Sequence, residues 1–328
     1  MTDTPPSSLA SESDNPDAYC AAIAARNGSP LWLVGRTLPP AKRRFFAAAY
    51  ASMRLIDDFV DTVFLPLPPS ERAARRPAAL ARLDEWRTGI EAAASGTCTT
   101  MEGPEAPVFR ALAAVLPQTD LGVGPWQDLW RALRRDLEER PIDDWNGFLD
   151  YCGGATVAPA MVFIYILGSE EEAGAYRWTL PEPPSFYASD IAVFCYLVHI
   201  LRDIVQDSKG DSQLLTIPRA ALSALSLSPE QLQDAIRKGE TDKVEDLIRA
   251  LADEAQRYRD AADRHMAQLG ALIDPAELRL LAALYRAYTA LHDRIQAQPA
   301  AVLPDPDGLR GLQRAALSQA MALTDDHA

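Results

Sequence analysis

Along most of this chain, apolar positions recur with the 3.6-residue period of an α-helix. Between residues 40 and 63, one helical face collects the apolar side chains Phe45, Phe46, Ala49, Tyr50, Met53, Ile56 and Val60. The same period, with turn residues between the segments, predicts helices at about 17–26, 40–63, 71–94, 107–116, 126–138, 144–168, 185–207, 229–238, 241–269 and 275–296. The pattern therefore predicts an all-α protein.

The two ends of the chain differ from its middle. Residues 1–16 are rich in Ser, Pro and Asp and are expected to be disordered, and residues 301–328 are expected to form a C-terminal tail. No repeat or linker interrupts residues 17–296, and the domain is expected over residues 17–300. The uninterrupted helical pattern between the two ends therefore predicts one α-helical domain, with a central cavity between its helices.

Composition supports this picture and narrows the function. Ala and Leu dominate and β-branched residues are sparse, which is typical of helical proteins. The formal net charge of -14 and the lack of a basic stripe argue against nucleic acid as a partner. The four cysteines have no paired spacing and are expected to be buried apolar residues in a reducing compartment.

The apolar runs near residues 157–167 and 191–201 look too short to span a bilayer, and no signal peptide is visible. We therefore expect a cytoplasmic protein. Contact with a membrane surface stays open, because a substrate with a long apolar tail would bring it there.

Two apolar helical segments each carry a cluster of aspartates. In an α-helix, residues four apart lie on one face, so Asp57 stacks over Asp61 with Asp58 beside them. Asp203 stacks over Asp207 in the same way. Like charges at this spacing repel, and the negative end of the helix dipole disfavours them further. Something positive must offset this cost. Two facing aspartate clusters suit Mg²⁺, which binds carboxylates and completes its shell with water and substrate phosphates.

These motifs resemble those of the squalene/phytoene synthase family, the head-to-head prenyl synthases. The first matches as Tyr50-Ala-Ser-Met-Arg-Leu-Ile-Asp-Asp-Phe-Val-Asp61, and the second as Ile200-Leu-Arg-Asp-Ile-Val-Gln-Asp207. Weaker matches occur in the family's order at Gly28-Ser29, Leu38-Pro39, Tyr151-Cys152 and Tyr285-Arg286. The resemblance covers about residues 17–296. It implies the single-domain isoprenoid-synthase helical bundle, with a central cavity lined by the two aspartate-rich helices.

The resemblance also implies an activity and its residues. The activity is a Mg²⁺-dependent prenyl transferase that joins two prenyl diphosphates head-to-head through a cyclopropyl diphosphate intermediate. The implied metal ligands are Asp57, Asp58, Asp61, Asp203 and Asp207. The implied catalytic residues are these five aspartates and Tyr151. The implied substrate-binding residues are Ser29, Tyr50, Arg54, His199, Arg202, Lys209 and Arg286.

Several of these residues have a plainer interpretation. Arg54 and Arg202 could be helical ion-pair partners of the aspartates as well as phosphate ligands. Tyr151 could be a core tyrosine, and Ser29 could belong to an ordinary Asn-Gly-Ser-Pro turn.

The chain also departs from the family pattern. His199 stands where the family usually has Asn, and it could be either a metal-side residue or a core histidine. Tyr196 stands where Gln is usual. The loop after Asp207 has Lys209 as its single cation, which weakens the expected flap over the diphosphates.

Alternatives to head-to-head condensation stay open. One is an enzyme that ionises a single prenyl diphosphate and transfers, cyclises or hydrolyses it. Another is a catalytically silent family member that acts as an assembly or interaction protein. A helical di-metal site is disfavoured because no Glu-x-x-His pair occurs. Substrate chain length (C15 or C20), NADPH use and oligomeric state cannot be read from the sequence.

Overall fold

The computed structural model describes residues 15–26, 29–98, 102–211 and 216–325. Within these ranges the chain is almost wholly helical, which confirms the all-α class. The α-helices are α1 (Pro16–Ala25), α2 (Pro30–Gly35), α3 (Pro40–Asp58), α4 (Pro69–Ala94), α5 (Ala106–Ala113), α6 (Gly124–Leu137), α7 (Trp145–Cys152), α8 (Ala158–Gly168), α9 (Pro184–Asp207), α10 (Arg219–Ala224), α11 (Pro229–Lys238), α12 (Thr241–Gly270), α13 (Pro275–Ala297) and α14 (Pro306–Asp325).

Shorter elements complete the described chain. Helical turns with i→i+5 hydrogen bonds, that is π-helix, occupy Phe59–Phe64 and Gly153–Val157. Short 3₁₀ turns lie at Leu116–Gln118 and Pro299–Ala301. The strands β1 (Ser169–Glu172) and β2 (Ala175–Trp178) form an antiparallel hairpin.

Contacts divide the described chain into two compact units. Unit 1 runs to Glu138 and also takes in Ala158–Pro184, and unit 2 consists of Glu139–Val157 and the chain from Ser185 onward. The first aspartate motif belongs to unit 1, and the second motif belongs to unit 2.

In unit 1, α3 is the central helix and packs against α1, α5 and α8. Ser52, which is fully buried, ties α3 to two further helices. Its hydroxyl accepts a hydrogen bond from the Trp126 indole of α6, and its carbonyl accepts one from the Trp86 indole of α4, both at 2.8 Å. Because Arg54 follows two residues later, these bonds fix the helix next to the first motif.

The π-helical segment after α3 is closed by a buried arginine. Leu65 N–H donates to the carbonyl of Val60, five residues back, at 2.9 Å. The Arg72 guanidinium, only 3% exposed, donates to the carbonyls of Leu67 at 2.7 Å and Leu65 at 3.3 Å. A cation thus caps the negative end of the helix that carries the first aspartates.

In unit 2, α9, α12, α13 and α14 supply much of the core. The His292 ring of α13 is fully buried between α9 and α12. It contacts Phe194 edge-on at 5.4 Å between ring centroids, and its Nε2 lies 2.9 Å from the Ala252 carbonyl. Helix α14 packs along α13 and buries a stripe of side chains, namely Leu309, Gln313, Leu317 and Ala320.

Several sequence-based expectations need correction. The tail expected at 301–328 contains α14, a full part of unit 2. The hairpin and the short helices α2 and α10 were not expected. The helix expected to run through residue 63 changes from α to π geometry at Phe59.

Other expectations are not tested by the described residues. Residues 1–14, Asn27-Gly28, 212–215 in the loop after Lys209, and 326–328 lie outside the described ranges. For the domain expected over residues 17–300, the start at residue 17 stays a prediction, and so does the central cavity.

Among the described residues, one helical stretch is long and apolar enough to cross a membrane, Trp145–Gly168. It joins α7, the second π turn and α8, so it is longer than the apolar run expected from the sequence. Because 61% of its most apolar window is buried, it also fits a core helix.

Candidate active site

Arg54, Asp57 and Asp58 form one ion-paired cluster at the end of α3. The Arg54 Nη1 atom donates to Asp57 Oδ2 at 2.7 Å, and its Nη2 atom donates to Asp58 Oδ1. All three side chains are partly exposed, at 21–30%. One guanidinium therefore supplies the positive charge that two adjacent carboxylates require, while the cluster keeps access to solvent.

Asp61 lies one turn further, in the first π-helical segment, and is exposed. The step from Asp57 to Asp61 therefore passes from α to π geometry, and the stacking of these two carboxylates stays a prediction. The expectation assumed α geometry throughout. Single π turns inside α-helices are frequent at functional sites, because they change the direction in which the next side chain points.

Ser29 and Tyr50, two residues expected to bind substrate, come together in unit 1. Burial raises the pKa of Tyr50, and a hydrogen bond with Ser29 opposes this shift. Ser29 is also the N-cap of α2, where its hydroxyl accepts from Trp32 N–H at 3.4 Å. Ser29 thus has a local structural role as an N-cap, which does not exclude a second role. The Asn-Gly-Ser-Pro turn itself stays a prediction, because Asn27 and Gly28 lie outside the described residues.

Asp203, in the second motif, is nearly buried and saturated with hydrogen bonds. Its Oδ2 accepts from Arg202 Nε at 3.1 Å and Nη2, and lies 3.0 Å from His199 Nε2. Its Oδ1 accepts from Arg310 Nε at 3.0 Å and Nη2 at 2.8 Å. Burial would raise the pKa of Asp203, but the bonds and charges of His199 and Arg202 hold it well below its usual range. Asp203 is therefore ionised.

Asp207 is the last residue of α9, and its side chain reaches solvent. Desolvation by the surrounding protein and the charge of Asp203 raise its pKa to about 6, against the positive charges of His199, Arg202 and Arg310. Cation binding at Asp207 would therefore compete with a proton near pH 6.

An aromatic row joins Tyr151 to the second motif within unit 2. The Tyr196 ring centroid lies 6.3 Å from that of Tyr151 and 6.1 Å from that of His199. Tyr151 is buried. His199 is 46% exposed, which excludes its interpretation as a core histidine. The row places the two departures from the family pattern, His199 and Tyr196, side by side.

Two residues expected to bind substrate, Lys209 and Arg286, make no hydrogen bond with Asp203 or Asp207 within the described part of the chain. Lys209 donates to Gln206 Oε1 at 3.2 Å, and among the described residues it bonds neither aspartate of the motif. Arg286 is exposed on α13. Its neighbour Tyr285 is buried and donates to Asp263 Oδ1 at 2.8 Å.

Two residues at this motif were not anticipated from the sequence. Arg310 and Gln313, both on α14, bind Asp203 and Arg202 respectively. They lie more than a hundred positions from the motif, and an Arg and a Gln three apart on a short amphipathic segment carry no specific signal. Only the packing of α14 on α13 reveals them.

The carboxylates of the two aspartate motifs suit a hard cation, because such ions bind oxygen ligands. In the part of the chain that the structure describes, no group of three or more His, Cys, Asp or Glu side chains is arranged to hold a metal. Mg²⁺ in proteins commonly uses one or two carboxylates and leaves the rest of its shell to water and substrate phosphates. The donor set fits Mg²⁺ on those terms.

The family model for squalene/phytoene synthases matches residues 25–320. The chain belongs to the squalene/phytoene synthase family. The match includes both aspartate motifs and most of α14. The squalene/phytoene synthase family consists of prenyl transferases, and this chain is an enzyme of that class.

Two curated relatives are similar in sequence. The chain is 24% identical over 255 residues to a 15-cis-phytoene synthase of Synechocystis, with 76% of this chain and 68% of that protein covered. It is 22% identical over 259 residues to the chloroplastic phytoene synthase 1 of Arabidopsis thaliana, with 78% of this chain and 55% of that protein covered.

Solved structures show the same fold. A dehydrosqualene synthase crystallised with a ligand superposes with a TM-score of 0.70 at 17% identity, covering 97% of this chain and 100% of that one. The squalene synthase HpnC of Alicyclobacillus acidocaldarius gives a TM-score of 0.64 at 22% identity, covering 90% and 96%. At these identities the likeness establishes the isoprenoid-synthase fold alone.

Proposed function

We propose that this protein condenses two prenyl diphosphates head-to-head in a Mg²⁺-dependent reaction, through a cyclopropyl diphosphate intermediate. One observation carries the proposal. This chain keeps the carboxylates of both aspartate motifs. In each motif an arginine pairs with the carboxylates, Arg54 in the first and Arg202 in the second. A silent family member would have no reason to retain both.

The proposed metal ligands are the five motif aspartates, Asp57, Asp58, Asp61, Asp203 and Asp207. Bound there, Mg²⁺ would supply the positive charge that stabilises the departing pyrophosphate. The donor chemistry supports this assignment, since ionised carboxylates are the ligands this ion prefers and Asp203 is held ionised.

The protein's own side chains would bind and orient the substrates. Arg54 and Arg202 have the fork geometry that suits diphosphate oxygens. Tyr151 and Tyr196 form an apolar surface next to the second motif, where they would keep water from a reactive allylic cation. Ser29 and Tyr50 would act at the first motif.

The test is incubation with Mg²⁺ and farnesyl or geranylgeranyl diphosphate, with and without NADPH, followed by analysis of extracted lipids. A C30 or C40 hydrocarbon, or a cyclopropyl diphosphate of that size, is expected. If neither pyrophosphate nor any lipid product forms with either substrate, the proposal fails.

Replacing one metal ligand should abolish turnover without unfolding the protein. Asp57→Asn and Asp203→Asn each remove a charge that the metal needs, so we expect product formation to fall by about a thousandfold or more. Asp128→Asn is the matched control, because Asp128 pairs only with the exposed Arg131 among the described residues. Near-wild-type activity in either motif variant would contradict the assignment.

A second candidate is an enzyme that ionises one prenyl diphosphate and then transfers, cyclises or hydrolyses it. The Lys209 contact favours it, since the single cation of the loop after Asp207 bonds Gln206 and not a carboxylate of the motif. The lipid analysis separates the two candidates. A product no longer than the substrate would support the second.

A further inference from the structure

The first residue of the π turn Phe59–Phe64 is covered by an arginine of α4. The Arg82 Cζ atom lies 4.1 Å from the centroid of the Phe59 ring. A guanidinium at this distance is attracted to the negative face of an aromatic ring. Phe59 directly follows Asp58 and comes two residues before Asp61. The contact therefore acts on the backbone between two carboxylates of the first motif.

Arg82 is held in place by a second partner. Its Nη2 atom donates to Glu105 Oε1 at 2.6 Å, and Glu105 is the residue that directly precedes α5. Holding a long, 43% exposed side chain in one conformation costs entropy, and two contacts offset this cost better than one. Glu105, Arg82 and Phe59 thus form a brace that runs from the start of α5 over α4 to the π turn.

The backbone at Phe59 decides how Asp58 and Asp61 are directed relative to each other. Successive residues of an α-helix are rotated by about 100°, whereas the wider π turn rotates them by less. The change between the two geometries occurs at Phe59. One hydrogen bond crosses the same step, from the Thr62 hydroxyl to the Asp58 carbonyl at 2.6 Å. A ring that is fixed at Phe59 therefore limits the rotation between the two aspartates.

We propose that Arg82 is a positioning residue of the first aspartate motif: through Phe59 it holds the start of the π turn and thereby fixes the directions of Asp58 and Asp61. Within the described residues, Arg82 contacts Phe59 and Glu105 and makes no ion pair with an aspartate of the motif. It therefore acts through the backbone of the π turn. This inference rests on the proposed function, since it takes the motif carboxylates as cation ligands.

The first measurement is amide hydrogen exchange, followed by mass spectrometry on the full chain without substrate. Arg82→Met removes the guanidinium and keeps an apolar stem. A cation–π contact at an exposed site corresponds to about a two- to fivefold change in an equilibrium, so exchange over residues 58–65 should become faster by that factor. Unchanged exchange in this segment would overturn the inference, whether or not the protein is active.

The second measurement is the Mg²⁺ dependence of product formation. Carboxylates that are directed less well bind the ion less tightly, so Arg82→Met should raise the Mg²⁺ concentration for half-maximal rate by about two- to fivefold. The KM for the prenyl diphosphate at saturating Mg²⁺ should stay within about twofold of the wild-type value. A merely structural role for Arg82 would lower kcat with the fraction of folded protein and leave the Mg²⁺ dependence unchanged.

Three further variants test whether Arg82 and Phe59 act as a pair. Arg82→Lys should restore both properties at least in part, because Lys keeps a charge that faces the ring. Phe59→Leu removes the ring and should have the same effects as Arg82→Met. The double variant should be no worse than either single variant, because all three lack the same contact. Additive effects of the two substitutions would overturn the brace.

Arg87→Met is the matched control on the same helix. Arg87 stacks over the Trp130 ring at 4.6 Å and is 40% exposed, much like Arg82, but neither Arg87 nor Trp130 belongs to an aspartate motif. This variant should change neither the exchange over residues 58–65 nor the Mg²⁺ dependence. The same effects as in Arg82→Met would contradict a specific role for Arg82.

The outcomes separate this inference from the proposed function. If exchange becomes faster in Arg82→Met but the Mg²⁺ dependence does not change, the inference is wrong while the proposed function stands. If the wild-type protein forms no product from either prenyl diphosphate, both are wrong.

Discussion

At the scale of single residues, each acidic motif is accompanied by its own counter-ions. Arg54 spans two carboxylates of the first motif, and Arg202 with Arg310 encloses one carboxylate of the second. The difference matters for ligand binding. The first cluster leaves its carboxylates partly exposed, whereas the side chain of Asp203 is only 11% exposed. We therefore expect a cation to bind the carboxylates of the first motif more readily than it binds Asp203.

A buried histidine in unit 2 should make the stability of the fold depend on pH. Burial lowers the pKa of His292 from its ordinary value of 6.5, and the nearby Arg259 adds to this effect. The imidazole thus stays neutral in the fold while it takes up a proton in the unfolded chain. The unfolded state binds more protons below pH 6.5, so the free energy of unfolding falls as pH falls from 7.5 towards the folded pKa.

The measurement is urea unfolding of wild type and His292→Gln at about pH 7.5 and about pH 5.5. Gln can still donate to the Ala252 carbonyl but cannot titrate. We expect the wild type to lose more stability between the two pH values than the variant does. An equal loss would mean that His292 does not contribute to the dependence.

At the scale of elements, the sequence predicted most helices because their apolar stripes follow the α-helical period and end at Pro or Gly. The stripe of α3, with Phe46, Tyr50 and Met53, is an example. It did not predict the π turn at Phe59–Phe64, because the same residues satisfy an α-helical stripe equally well. Nor did it predict the hairpin. Its two-residue turn, Ala173-Gly174, has positive φ at both positions, and Ala is an unusual residue there.

The hydrogen bonds that fix α3 should be measurable as stability. Trp126→Phe removes the indole donor to the buried Ser52 hydroxyl and leaves a small gap, so we expect a loss of about 1–3 kcal/mol in the free energy of unfolding. Trp130→Phe on the same helix is the control. Its indole donates to Asp84, which is 46% exposed, so its loss should be smaller. Equal losses would argue that Ser52 has no special role.

At the scale of the whole molecule, the sequence placed the end of the fold too early. The Pro- and Asp-rich stretch after Ala301 indicated a tail, because such residues usually end helices. In the structure these residues lead into α14, with Pro306 in its first turn, where proline is favoured. The ion pairs at the two motifs were likewise predicted only in part. The motif carboxylates and their adjacent arginines were identified, but Arg310 could not be, since its contact depends on helix packing.

A core position on α14 tests whether this helix belongs to the fold. Leu317 is 3% exposed, so Leu317→Ala should lower the free energy of unfolding by about 2–4 kcal/mol. Ser318→Ala, at the exposed neighbouring position, should change it by less than about 0.5 kcal/mol. If both variants unfold like the wild type, α14 behaves as a tail.

The two π turns have a consequence for how this chain is compared with others. The first begins directly after the candidate residue Asp58, and the second begins two residues after the candidate residue Tyr151. A π turn corresponds to one residue inserted into an α-helix, and removing that residue would rotate the following helix by about 100°. Aligning a homologue here without a gap would pair side chains that point in different directions. Chain length between motifs thus carries structural information that percentage identity does not record.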